Sequence, residues 1–175
     1  MAKKLYSKEI SVRISEMIAA LVDPNLTTVE IGDLSHVPAP EIIGNFVPAV
    51  IINPLEVENE FADNKQNPKI VNSIYSFTLY FLKMVDPTDH NLEDSLEEAE
   101  NIAQLFFDNP VLKRYNESGE PIEQFFTIAN GGQVLSSLVK RVKYSTQVTS
   151  FYEALNIPLE VIEIDFKVFF RTFNV

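Results

Sequence analysis

The chain has 175 residues, of which 46% are hydrophobic and 22% are charged. This composition is typical of one globular domain and excludes a disordered chain. Because there is no Cys, disulfides, thiol catalysis and zinc–thiolate sites are excluded. No membrane span or secretory signal is expected, since no apolar run approaches the ~18 residues that a span needs. The net charge of −11 has the wrong sign for a protein that binds nucleic acid through its phosphates.

The acidic residues are concentrated in two parts of the chain. Residues 23–63 and 86–108 each hold eight acids and no Lys or Arg, and together contain sixteen of the 25 acidic residues. Two interpretations follow from this pattern. The acids form solvated surfaces, or they provide electrostatic complementarity to neighbouring subunits or line a channel that repels polyanions.

Helical periodicity predicts a first helix over residues 7–21, with Ser7 as its N-cap and Asp23-Pro24 beyond its end. Residues 24–54 hold five of the ten prolines. Short strands are predicted at 28–31 and 47–52, separated by a long irregular loop over residues 32–44 that contains His36. A loop of this length with few large apolar residues is expected to contact a neighbouring subunit or to be poorly ordered when the chain is alone.

An acidic, Asn-rich turn is predicted at residues 56–67, followed by a strand at 73–82 that alternates aromatic and polar side chains. A second helix is predicted over residues 92–107, ended by Asn109-Pro110. Its outer face carries Glu93, Glu97 and Glu100. We expect this acidic face to point at a channel or at a basic partner, with plain solubility as the alternative.

The last third of the chain predicts strands at 124–128, 137–152 and 156–173, with a turn at 130–132. Alternation from Ile162 directs one set of side chains to the core, and places Phe169, Arg171 and Phe173 on the opposite face. A helix or a neighbouring subunit would cover this second set. The predicted fold is α+β: a mostly antiparallel sheet packed against two helices, with a proline-rich loop at about residues 24–46, in one domain spanning residues 1–175.

No catalytic, cofactor or metal site is expected. The five glycines match no phosphate-binding motif, and His36 and His90 are far apart in the sequence. Asp86, Asp89 and His90 could hold a hard cation, but a helix-capping role for this region is favoured.

The order of elements resembles the tail terminator, or tail completion, proteins of tailed bacteriophages and related contractile particles. The matching parts are the amphipathic helix at 7–21, the stretch Val47-Pro48-Ala49-Val50-Ile51-Ile52-Asn53-Pro54, the strand at 75–81, the helix at 92–107 and the closing strands that end in 162–173. The family has no catalytic signature, so this is a resemblance of layout.

The resemblance implies a structural virion protein that caps the tail tube as a ring, usually a homo-hexamer, ends tail growth and joins the tail to the head or neck. The implied partners are the tail tube protein, a neck or head-completion protein and, in sheathed tails, the sheath protein. DNA would pass through without specific binding, and assembly would occur in the host cytoplasm without a membrane. The alternatives are another neck, tube or baseplate protein, or a small-molecule-binding α+β domain; an enzyme ranks third.

Overall fold

The computed structural model describes residues 5–21, 26–38, 42–60, 70–84, 92–129, 131–145 and 159–173. These residues form two α-helices, α1 (Ser7–Leu21) and α2 (Leu92–Asp108), and two short 3₁₀ turns at Leu34–His36 and Ile43–Asn45. The described strands are β1 (Thr28–Ile31), β2 (Ala49–Glu60), β3 (Ile70–Met84), β4 (Thr127–Ile128), β5 (Gly132–Ser145) and β6 (Leu159–Phe173).

Both helices form where their apolar periodicity predicts them. The buried stripe of α1 includes Ile10, Ile14 and Ile18, and that of α2 includes Ala99, Ile102 and Phe106. After α2, the Asn109 side chain accepts a hydrogen bond from the Lys113 N–H at 3.0 Å and stabilises the turn that leaves the helix. In the described part of the chain, neither helix is long and apolar enough to cross a membrane.

The strands form one sheet in the order β1-β2-β3-β6-β5-β4. All neighbouring pairs are antiparallel except β1 and β2, which are parallel. The predicted α+β class, with a mostly antiparallel sheet and two helices, is confirmed. The parallel pair also explains the long segment between β1 and β2, because parallel neighbours need a crossover connection of about a dozen residues or more.

Several predicted strand limits are wrong. The sequence predicts a turn from residue 56, but β2 continues through Pro54 to Glu60, with a bulge between Pro54 and Glu56. Proline is tolerated there because β1 pairs only with residues 49–52, which leaves the rest of β2 at an edge. The strand predicted at 124–128 is reduced to β4, and β5 begins at Gly132 rather than at residue 137. Residues 146–158, which include the end of the strand predicted at 137–152 and the start of the one predicted at 156–173, lie outside the described residues.

The main core lies between the helices and one face of the sheet, called here the helix-covered face. Tyr75, Phe77, Leu79 and Phe81 point to this face from β3, and the even-numbered residues from Ile162 to Phe170 do so from β6. This confirms the alternation that the sequence predicts for both strands. The Phe166 ring stacks between Phe77 and Phe106, with ring centroids 5.2 and 4.4 Å away, and so joins the two central strands to α2.

Among the described residues, the opposite face of the sheet is covered only at one end. There, Ile43 and Val47 from the β1–β2 connection pack on a second cluster that includes Ile51, Leu82 and Val161. The rest of this side, called here the open face, carries alternate side chains of β2, β3, β6 and β5. No described helix packs on the open face.

Candidate interaction surfaces

The open face contains the three β6 residues that the sequence predicts as subunit contacts. Phe169 and Arg171 are partly buried, and Phe173 is 37% exposed. The Arg171 Nε–H donates to the Asn72 side-chain oxygen at 3.2 Å. Because both described helices lie on the other side of the sheet, the expectation that a helix covers these residues is wrong for the described chain. Contact with a neighbouring subunit remains a prediction.

Ion pairs on the open face join side chains of different strands. Arg141 of β5 pairs with Asp165 of β6, with Nη2 and Oδ2 2.6 Å apart, and Lys143 pairs with Glu163 at 3.5 Å. Further along, the Lys167 ammonium lies 3.8 Å from the Glu58 carboxylate of β2. The basic members of the two β5 pairs are about half exposed, so each pair contributes no more than about 1 kcal/mol to folding.

The outer face of α2 is acidic and points away from the sheet. Glu97 and Glu100 are exposed, whereas the side chain of Glu93 lies outside the described residues. Two strand residues contact the acids of this face. The Lys83 Nζ is 3.3 Å from the Glu98 carboxylate, and the Tyr144 hydroxyl donates a hydrogen bond to Glu100 at 3.2 Å. Partial desolvation and this bond to a carboxylate raise the pKa of Tyr144. The exposed carboxylates of Glu97 and Glu100 remain available to a partner.

The β1–β2 connection has more internal structure than the sequence predicts. Asp33 caps the first 3₁₀ turn by accepting hydrogen bonds from the Ser35 N–H and hydroxyl, and these bonds lower the pKa of Asp33. The buried Ile43 shows that the loop does pack its own apolar residues, so the premise of an almost core-free loop is wrong. The His36 ring lies 3.9 Å from the Glu30 carboxylate, and its side chain is 50% exposed. Its role as a subunit contact remains a prediction.

A groove of about 370 Å³ runs beside α1. The side chain of Arg13 is 3% exposed, and its guanidinium lies 2.5 Å from the Glu123 carboxylate and 4.5 Å from the centroid of the Phe126 ring. Burial lowers the pKa of Arg13, and the Glu123 charge opposes that effect. Arg13 was not among the predicted site residues, although its spacing of three residues from Ile10 and four from Met17 places it on the apolar stripe of α1.

This groove bears on the small-molecule alternative. Its volume is near the low end of the ~300–1,000 Å³ typical of ligand pockets. Its lining includes Lys8, Arg13 and Arg114, the last of which lies 3.5 Å from Glu16, whereas Phe126 is its single aromatic residue. The cations are therefore largely engaged with acids of the same chain. This groove is therefore not the aromatic-lined pocket that the small-molecule-binding alternative requires.

The described residues contain no group of three or more His, Asp or Glu side chains that could hold a metal ion. Asp86, Asp89 and His90, which the sequence marks as a candidate cation site or helix-capping segment, lie outside the described residues.

Comparisons with known proteins found similarity among solved structures. No protein-family model matches the chain, and no curated protein matches it. Among solved structures, the chain is similar to a chain of the virion of a native gene transfer agent particle, with 12% sequence identity and a TM-score of 0.42. The match covers 93% of this chain and 90% of the other. The function proposed below therefore rests on the residues and surfaces of this chain.

Proposed function

We propose that the chain is a structural virion protein that caps a tail tube as an oligomeric ring, ends tail growth and joins the tail to the head or neck. The observation that carries the proposal is the arrangement of surfaces. Both described helices pack on one face of the sheet, while the open face and long parts of two strand edges have no described partner. A subunit of a ring needs such surfaces, because each copy must contact two neighbours and an axial partner.

The element order supports the same role. A helix, a proline-containing crossover, a strand pair, a second helix and a closing strand pair occur in the order that resembles the tail terminator family. We propose a hexamer, with the tube protein on one side of the ring and a neck or head-completion protein on the other. In a sheathed tail, the last sheath ring would be a further partner.

Two alternative roles for the acidic face of α2 follow from this proposal. If it lines the channel, its carboxylates repel the phosphates and let DNA slide without being held. If it points outward, it meets a basic surface of an axial partner. The open face of the sheet points the opposite way in the same subunit, so only one of these two faces lies towards the channel.

The proposal is tested on particles that lack this protein. Without it, we expect tails of uncontrolled length and separate heads and tails in negative-stain images, and we expect added purified protein to restore tails of normal length that join heads. Tails of normal length joined to heads in the absence of the protein would contradict the proposal. The same images would then show which other assembly step fails, and so distinguish a neck protein from a baseplate protein.

Charge reversal separates the two roles of α2. The variant with Glu97→Lys and Glu100→Lys is compared with a control that carries Glu117→Lys and Glu120→Lys in an exposed turn. DNA retained in the channel is expected if the α2 face lines it, and loss of joining to a partner is expected if the face points outward. If the α2 variant assembles and passes DNA like the control, solubility is the only role of these acids.

A further inference from the structure

Two strands of the sheet have long edges without a described partner. On one side, β1 pairs only with residues 49–52 of β2, so residues 53–60 of β2 form an edge that no described strand covers. On the other side, β4 pairs only with Gly132 and Gln133, and residues 135–145 of β5 form a second open edge. Edges of this length offer rows of backbone N–H and C=O groups to another strand, a hazard that proteins normally block.

These two edges carry opposite charges. The β2 strand contains three Glu and no basic residue, and β5 contains Lys140, Arg141 and Lys143 and no acid. By their pairing in the sheet, Glu56 and Glu58 point to the open face, as do Arg141 and Lys143. The charges of the two edges therefore lie on the same side of the sheet. In a chain with a net charge of −11, a strand with three cations and no acid is an exception.

The strand directions allow these edges to meet. From β2 through β3 and β6 to β5, every neighbouring pair is antiparallel, so β2 and β5 run in opposite directions. A second copy placed beside the first, in the same orientation, brings its β2 edge against β5 as an antiparallel pair. The helix-covered faces of both copies then lie on the same side, and no helix has to move.

We infer that copies of this chain associate head to tail, with residues 56–60 of β2 of one copy adding to residues 135–145 of β5 of the next. This heterologous contact repeats around a ring and makes the sheet continuous between subunits. Closing such a sheet requires the strands to be staggered, and the bulges in both strands supply local bends. Pairing of like edges is disfavoured, because it sets Glu against Glu or cation against cation.

The existing ion pairs are compatible with this contact. Arg141 and Lys143 each pair with an acid of β6 on one side and are 58% and 52% exposed, which leaves their other side open to an acid of the next copy. Glu58 is 54% exposed and contacts Lys167 on its inner side. Joining the edges would extend an alternating series of charges across the subunit boundary.

A charge exchange tests this contact. One variant carries Arg141→Glu and Lys143→Glu, and the other carries Glu56→Lys and Glu58→Lys. Each variant alone sets like charges against each other at every contact, so we expect self-association, measured by sedimentation velocity, to weaken at least about tenfold. An equimolar mixture restores opposite charges at every contact, as does one chain that carries all four changes, and both should assemble like the parent.

The Glu117→Lys and Glu120→Lys variant is the control, since it changes the net charge as much as the β2 variant does but alters an exposed turn outside both edge segments. A parent that stays monomeric at all concentrations, single-edge variants that assemble normally, or a mixture that fails to recover would each overturn the inference. Should a variant fail to fold, hydrogen exchange of the parent decides: amides of residues 56–60 and 135–145 must become protected on assembly.

The edge contact between copies rests on the proposed function in one respect only, namely that the contact closes into a ring on a tail tube. The assay reads self-association of the purified chain, whereas the particle images read capping. Copies that join through these edges but do not cap tubes would refute the proposed function alone, and rings that form through other surfaces would refute the edge contact alone.

Discussion

Two adjacent phenylalanines of α2 provide a direct test of the core. Phe106 is 1% exposed and stacks 4.4 Å from Phe166, whereas Phe107, the next residue, is 59% exposed. Phe106→Ala removes a buried ring and leaves a cavity between α2 and the sheet, and should lower the free energy of unfolding by about 4 kcal/mol. Phe107→Ala removes an exposed ring and improves helix propensity, so its effect should stay within about 0.5 kcal/mol of zero.

Urea unfolding, followed by far-UV circular dichroism and tyrosine fluorescence because the chain has no Trp, measures both variants. With a slope of roughly 2 kcal/mol per molar urea, the unfolding midpoint of Phe106→Ala should fall by about 2 M. Each curve is recorded at several protein concentrations, because self-association would make the midpoint depend on concentration. Equal midpoints for the two variants would refute the assignment of Phe106 to the core and the packing of α2 on the sheet.

Two further predictions concern β3 and the β4–β5 turn. Burial raises the pKa of the Tyr75 hydroxyl; the unfolded chain therefore loses this proton first above about pH 10, and stability falls as the pH rises further. In Tyr75→Phe, the urea midpoint should therefore decline less at alkaline pH. Near pH 7 the variant should be less stable by about 1 kcal/mol, because it loses the hydrogen bond from the Tyr6 N–H. An unchanged alkaline decline would contradict the raised pKa of Tyr75. Gly132 has φ +144°, and an added Cβ would collide with the Arg171 backbone, so Gly132→Ala should cost about 3 kcal/mol. Gly44→Ala, with no atom within 4 Å of the added Cβ, is its control, and similar thermal midpoints for the two variants would refute the predicted strain.

The sequence by itself determined the parts of the fold that depend on local periodicity. The apolar stripe of α1, which includes Ile10, Ile14 and Ile18, recurs at helical spacing and is buried, and the alternation predicted from Ile162 is present in β6. These predictions succeed because a helix or strand must turn its apolar side chains to one face, whatever it packs against. The residue pairs Asp23-Pro24 and Asn109-Pro110 predicted the ends of the helices for equally local reasons, because a residue before proline avoids the helical conformation.

The candidate surfaces could be predicted only in part. The sequence identified the acids of α2 and the placement of Phe169 and Arg171 opposite the core, since both follow from periodicity within one element. It could not show that both helices lie on the same side of the sheet, which leaves the open face without a described helix. Nor could it place Glu123 beside Arg13, because the two residues are 110 positions apart in the chain and meet only through packing of α1.

Tertiary structure alone decided the sheet order and what depends on it. Pro54 suggests the end of a strand, yet β2 continues through it because β1 ends opposite Ile52 and leaves the proline at an edge. The sequence predicts an irregular loop between β1 and β2, whereas the parallel pairing of these strands makes the segment a crossover within the subunit. Its contact with a neighbouring subunit stays a prediction. The opposite charges of β2 and β5 are readable in the sequence, but they become two complementary edges only when long-range pairing puts β3 and β6 between them. Strand pairing joins residues far apart in the chain, so no local pattern encodes which strands remain at the edges.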